Sequence, residues 1–276
     1  MATDSADSLR VAAVQLSSRE NLDANLVECR ALIDVAAAQG AKVVLLPENL
    51  AYMGPEAGKF ASAERLGDAS QPIQRTLAEA ARAHGVHVIA GGIPERSDDE
   101  RRPYNTCVVF SERGEILASY RKIHLFDVDL ADGTTLRESA GSLSGKDPVV
   151  VTLGGFVFGL SICYDLRFPE LYRALVDRGA EVLVVPAAFT LHTGKDHWHV
   201  LLRARAIESQ CFVVAAAQWG KHPQGRTTYG HSLVVDPWGT VLAEAPDRIG
   251  VVVADLVRDD LRRVRASLPS LRHRRL

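Results

Sequence analysis

Three polar side chains interrupt otherwise apolar stretches, and each could carry chemistry. Glu48 directly follows the run VVLLP. A carboxylate at the end of a buried strand is either paired or working, and partial burial would suit a working one to proton transfer near neutral pH. Cys163 closes the apolar run 156–162 and precedes YDLRFPE, which turns into a helix. A buried structural thiol is the ordinary role of a cysteine, and that is the reading for Cys29, Cys107 and Cys211. At Cys163 a sharp strand-to-helix turn would expose the thiol and aim the next backbone N–H groups at whatever it attacks. Such donors suit an oxyanion, and the positive end of the helix is expected to favour thiolate. Lys122 lies in YRKIHLFDVD just after a strand, where lysines are normally solvated. Glu138, in LRESAG, is unremarkable alone.

Metal and phosphate chemistry find less support. His192, His197 and His199 cluster in HTGKDHWH. Histidines two apart at the start of a helix point in different directions, and no HExxH-type spacing occurs, so no metal is expected. Neither GxGxxG nor GxxxxGK[ST] is present, so the glycine pairs carry no phosphate signal.

These residues need elements to hold them. Residues 9–16 (LRVAAVQL) read as a buried strand. Asn21 caps a helix in which Leu22, Leu26, Cys29 and Ile33 recur at helical spacing, and Gly40 stops it. The strand 42–46 follows, cut off by Pro47; a second helix (74–84) leads into the strand 86–91. Then come two hairpin-like pairs, 104–110 with 115–120 and 149–153 with 156–162. Alternation resumes with a helix from Pro169, a strand at 181–185, a helix at about 196–209 and a strand at 212–217. Strands at 230–236, 240–244 and 251–255 precede a last helix carrying Leu261, Val264 and Leu268. So many hairpins beside βα units do not suit a single parallel sheet; two sheets packed together with helices outside accommodate both.

Composition bounds the rest. The chain has 276 residues, 47% hydrophobic and 24% charged, which argues against disorder. One large domain spanning 1–276 is expected, with residues 1–8 a disordered N-terminal segment. The net charge of −2 removes the electrostatic reason to expect nucleic acid or an anionic membrane as a partner. The polar N-terminus does not read as a secretory signal, and the apolar runs are too short to span a membrane. Four widely spaced cysteines fit free thiols in a reducing, cytoplasmic setting.

Taken together, LLPEN with Glu48, YRKIHLFD with Lys122 and ICYDLRFPEL with Cys163 resemble the three motifs of the nitrilase superfamily of carbon–nitrogen hydrolases, in the family's order and 74 and 41 residues apart. The resemblance runs from about Leu9 to the C-terminus, with Glu138 at the place of the family's second glutamate. It implies a four-layer α-β-β-α sandwich, an enzyme without cofactor, and a homodimer or higher oligomer, here partly through the helix region 163–175 and the tail RHRRL. It also implies a mechanism. Glu48 takes the thiol proton, Cys163 attacks an amide carbonyl, and Lys122 with the backbone N–H of Tyr164 holds the oxyanion. A thioester then hydrolyses, while Glu138 orients Lys122 or the attacked group.

The second half is most similar to the branch that cleaves deaminated glutathione into 2-oxoglutarate and cysteinylglycine. A sibling branch, the ω-amidases, takes 2-oxoglutaramate. Nitrile or N-carbamoyl substrates, a metal-dependent amidohydrolase and a catalytically silent scaffold are the other readings. Such substrates carry carboxylates, so the mouth of the site needs cations or hydrogen-bonding groups. Arg167, Thr190, His192 and Thr193 are candidates, although Arg167 could instead pair with Glu170. Tyr52, Phe126 and Phe189 are candidates to shape the pocket, against plain packing. Arg203, Arg205 and Glu208 read as a structural ion-pair network.

Overall fold

The central strands are apolar at consecutive positions because they are covered on both faces. The structure, a computed structural model, describes residues 7–99, 101–129 and 135–275. From the N-terminus, β1 (Ser8–Gln15), α1 (Leu22–Ala38) and β2 (Val43–Leu45) form the first β-α-β unit. Two helices, α2 (Glu56–Ala61) and α3 (Pro72–His84), lead into β3 (His87–Glu95), β4 (Tyr104–Phe110) and β5 (Ile116–Arg121). A small ribbon, β6 (Asp127–Asp129) with β7 (Thr135–Arg137), precedes α4 (Glu138–Gly141). The second half runs through β8 (Val150–Leu153), β9 (Phe156–Leu160), α5 (Pro169–Asp177), β10 (Val182–Ala187), α6 (Leu191–Ser209) and β11 (Phe212–Ala217). It ends in β12 (Trp219–Lys221), β13 (Thr227–Tyr229), β14 (Leu233–Val235), β15 (Val241–Glu244), β16 (Gly250–Val257) and α7 (Arg258–Ser267).

Among the described residues these strands build two six-stranded sheets, ordered β16-β1-β2-β3-β4-β5 and β15-β14-β11-β10-β9-β8. Side chains alternate across a strand. Leu9, Val11 and Ala13 of β1 therefore pack between the sheets with Phe158, Leu160, Leu183 and Val213. Ala12 and Val14 turn the other way, onto Leu26, Cys29 and Ile33 of α1 and Leu77 and Ala81 of α3. Outside the second sheet, α5 contributes Leu171, Tyr172 and Leu175, and α6 contributes Trp198, Leu202 and Ala206. The result is the expected α-β-β-α sandwich.

Four local expectations change. Residues 1–6 of the segment expected to be disordered lie outside the described residues, but Ser8 already pairs with Val257 in β1. The helix expected from about Asp196 begins at Leu191, so HTGKDHWH is helical throughout; Thr190 sits at its N-cap and the glycine at 194 does not break it, being packed against Tyr229. The tail is not wholly free for a partner, because Arg274 pairs with Asp177 at the end of α5 at 2.5 Å. Arg205 does pair with Glu208, at 2.6 Å, but Arg203 instead donates to the carbonyl of Gly239 at 2.7 Å. No helix among the described residues is long and apolar enough to cross a membrane.

Candidate active site

Glu48 emerges from the end of β2, where Pro47 stops the strand. The backbone of β3 comes unusually close there. A Cβ on Gly91 would lie 2.1 Å from the Leu46 carbonyl oxygen, and one on Gly92 would lie 2.6 Å from Asn105 Oδ1 and 3.3 Å from Glu48 Cγ. The glycine pair that held no phosphate signal is thus what lets β3 lie against the carboxylate. Glu48 is 3% exposed and fully engaged. Its Oε1 accepts from Lys122 Nζ at 2.9 Å and Asn105 Nδ2 at 2.9 Å, and its Oε2 accepts from the Ala188 N–H at 3.0 Å.

Lys122 follows β5 and is 1% exposed, so the solvated role usual for a lysine is ruled out. Besides Glu48 it donates to Glu138 at 2.8 and 3.1 Å. Burial works against its charge, but Glu138 and Glu48 outweigh burial and hold its pKa above the ordinary lysine value. Burial likewise opposes charge on Glu138, yet Lys122 prevails and lowers its pKa to about 2. Glu138 also accepts the Phe126 N–H at 2.7 Å, and Asn105 reaches it at 3.3 Å. Asn105 thereby bridges both carboxylates. It escaped the sequence reading because an asparagine inside β4 has no distinguishing neighbours.

Cys163 opens a short 3₁₀ turn, Cys163–Arg167, and holds φ at +48°, a conformation non-glycine residues rarely adopt. The neighbouring contacts fix that geometry. Asp165, fully buried, accepts from the Ile162 N–H at 2.8 Å, Tyr120 Oη at 2.7 Å and the His124 N–H at 3.1 Å. Its other contact is His124 Nδ1 at 2.7 Å, and the His124 ring stacks on Phe168 at 3.7 Å. Arg205 of α6 grips the Leu166 carbonyl with Nη2 at 2.8 Å and Nε at 3.1 Å. One turn is therefore clamped to β5, to the Lys122 segment and to α6.

The surroundings of Cys163 act against the thiolate that the turn is expected to favour. Burial raises the Cys163 pKa, Glu48 raises it further, and Lys122 only partly offsets them. Glu48 lines the same cleft as the Cys163 thiol.

A cleft of about 140 Å³ joins Glu48, Lys122, Glu138 and Cys163 with Tyr52, Phe126, Lys59 and Arg226. A smaller arm of about 10 Å³ starts from the same Cys163 and Phe126 and is lined by Tyr164, Arg167, Phe189, Thr190 and Thr193. Tyr164 packs edge-on to Phe126 at 4.8 Å, and Thr190 and Thr193 share a hydrogen bond at 2.9 Å. Arg167 does not turn to Glu170; it lies over the Phe189 ring at 5.1 Å and donates to His197 Nδ1 at 3.3 Å. His192 is exposed on α6 and lines neither arm, because the helix starts early enough to rotate it outward. Lys59 and Arg226 come from segments without a sequence signal, a short helix and a turn.

An ammonium has no lone pair to offer, so a cleft centred on Lys122 is not a metal-ligand set. Elsewhere, His199, His231 and Glu244 bring three ligand-type atoms within 4.8 Å. There Glu244 Oε1 already contacts His199 Nε2 at 2.9 Å and His231 Nδ1 at 2.7 Å. The partner of His199 lies across the fold rather than within HTGKDHWH.

A buried thiol, two carboxylates and a fixed ammonium share one cleft. Residues 10–266 match the family Carbon-nitrogen hydrolase. The deaminated glutathione amidase of Synechocystis sp. is 48% identical over 266 residues, covering 95% of this chain and 97% of that protein. The NitFhit protein of C. elegans superposes with a TM-score of 0.91 at 36% identity; all of this chain aligns with 66% of that longer one. A mutant amidase from Nesterenkonia sp. AN1, solved after Michael addition of acrylamide at its active-site cysteine, superposes with a TM-score of 0.77 at 29% identity, covering 95% of this chain and 99% of that one. The chain belongs to the carbon–nitrogen hydrolase family and is an amidase.

Proposed function

We propose that this amidase hydrolyses deaminated glutathione to 2-oxoglutarate and cysteinylglycine through a thioester on Cys163. Glu48 accepts the thiol proton as sulfur attacks the amide carbonyl. Lys122 and the backbone N–H of Tyr164 stabilise the oxyanion, in a site dry enough to make those donors count. The C–N bond breaks as Glu48 delivers its proton to the departing nitrogen. Glu48 then takes a proton from water, the hydroxide adds to the thioester, and the C–S bond breaks as Glu48 returns that proton to sulfur, giving the acid and the free thiol. Glu138 and Asn105 are positioning residues that hold Lys122 and Glu48.

One observation carries this reading: Lys122 is anchored between Glu48 and Glu138 beside the thiol, so base, nucleophile and positive charge share a cavity. The substrate assignment is supported by the relatives, several of which bear that activity. The ω-amidase reading shares the same acyl half, and the modest enclosed volume suits that half either way. We further propose a cytoplasmic homodimer.

The test is a competition between deaminated glutathione and 2-oxoglutaramate, with mass spectrometry of the acylated enzyme. A 2-oxoglutaryl adduct on Cys163 and preference for deaminated glutathione are expected. Preference for 2-oxoglutaramate moves the assignment to ω-amidase. Full activity in Cys163→Ala overturns the mechanism.

A further inference from the structure

The cations lining the cleft are not equally committed. Lys122 is held by Glu48 and Glu138, Arg137 is held by Asp129 at 2.8 Å, and Lys59 donates to Ser142 Oγ at 2.6 Å. Arg226 has no carboxylate partner among the described residues. Its Nη2 donates to the Ala188 carbonyl at 3.0 Å, while its Nε is buried without any hydrogen-bond partner. A half-buried guanidinium left this way is costly unless a ligand completes it.

Its placement is fixed rather than incidental. Arg226 ends the tight turn between β12 and β13, in which Gln224 and Gly225 hold φ at +63° and +76°. The His222 N–H donates to the Arg226 carbonyl at 2.7 Å and closes that turn. The His222 ring is itself buried, with Nδ1 at 3.0 Å from the Ser18 carbonyl and Nε2 at 2.6 Å from Thr228 Oγ1. The turn is thus anchored to the segment after β1. The guanidinium contacts the carbonyl of Ala188, whose own N–H serves Glu48, and it lines the same cleft as Cys163. An anion on Arg226 therefore lies close to the reacting bond.

We infer that Arg226 is a carboxylate subsite that binds the 2-oxo acid end of the substrate's acyl half and selects for anionic amides. The acyl half is the part that must stay bound while the leaving amine departs and water enters. It belongs in the roomier arm, about 140 Å³ against about 10 Å³ for the arm beside Arg167. A planar guanidinium matches a carboxylate through two parallel N–H donors.

This inference rests on the proposed action on 2-oxoglutaryl amides, so its test includes a substrate without the acid. Kinetics of wild type, Arg226→Gln and Arg226→Lys are compared on deaminated glutathione, 2-oxoglutaramate and neutral pentanamide. Arg226→Gln is expected to raise KM for both acids by about 10- to 100-fold, the loss of one charge-assisted contact. That rise should exceed any change with pentanamide by at least about tenfold, and Arg226→Lys should recover part of it. Calorimetry of 2-oxoglutarate on Cys163→Ala, with and without Arg226→Gln, should show the same weakening without turnover. An equal change on all three substrates makes Arg226 a support for Ala188 and overturns the inference. So does a change confined to deaminated glutathione, which would place the arginine on the leaving half, or unchanged 2-oxoglutarate binding. Turnover of pentanamide by wild type without turnover of either acid defeats the functional reading itself, a result distinct from these.

Discussion

Lys122 is unusual among lysines in being both buried and charged, and its two carboxylates are what make that possible. Removing the ammonium leaves Glu48 and Glu138 facing each other across Asn105, which favours protonation of one of them. Under the proposed mechanism, Lys122→Ala should therefore lower kcat by at least about 10²-fold, since the proposed oxyanion donor and the state of the proposed base are lost together. Steady-state kinetics with a structural check by circular dichroism measure this, and a loss under tenfold would contradict the role. Glu138 allows a second test. Its folded pKa of about 2 lies below the ordinary carboxyl value near 4.3. Its contribution to stability is thus fully present above that ordinary value and disappears as pH falls toward 2. The wild-type melting temperature should drop more steeply between about pH 5 and 3 than that of Glu138→Gln; parallel curves would remove Glu138 from the stability account. At this scale Glu48, Lys122 and Cys163 were legible because each breaks an apolar run or sits in a family motif. Asn105 and Arg226 were not, because their importance comes from what the fold brings to them across dozens of residues.

The elements explain why a strained cysteine stays where it is. Asp165 collects four contacts, from two backbone N–H groups, the buried Tyr120 hydroxyl and the half-buried His124 ring. Asp165→Ala should cost about 3 kcal/mol or more in urea denaturation, because at least the Tyr120 hydroxyl and the Ile162 N–H lose their partner. A cost below about 1 kcal/mol would show that the turn is held by Arg205 and packing instead. Gly92→Ala probes the opposite side of the site. Its new Cβ would press on Asn105 Oδ1 and Glu48 Cγ, so kcat should fall severalfold while the melting temperature changes little relative to Asp165→Ala. Most strands were readable because they are buried on both faces and so are apolar without interruption. The exceptions share a physical origin. The ribbon of β6 and β7 is short and largely polar on its exposed positions, and the first turn of α6 is polar because it borders the smaller arm of the cleft. Hydrophobic periodicity has no purchase on either.

At the scale of the whole molecule, the outer face of α6 sets the expectation for assembly. Val200 and Ile207 lie two turns apart on that helix and are 66% and 48% exposed, with Trp238 at 62% on the neighbouring turn. Arg203, between them, ties that turn to the helix through the Gly239 carbonyl, so the apolar residues sit on a braced surface rather than a loose loop. Exposed apolar groups held together in this way are a common mark of an interface. A homodimer using this face would cover them and place α6, which also grips the Cys163 turn through Arg205, next to its copy. Sedimentation equilibrium at micromolar concentration should give twice the mass of the chain for wild type. Val200→Glu combined with Ile207→Glu should give the single-chain mass, because two charges on each side would be buried without partners. A wild type at single-chain mass rules the dimer out, and a double variant that still sediments as a dimer moves the interface off this face. Arg205 links this outcome to chemistry: if α6 is steadied by its copy, the dissociated variant should have a lower specific activity than the wild type at every concentration, while the wild type should fall to that level only when diluted far enough to separate the dimer.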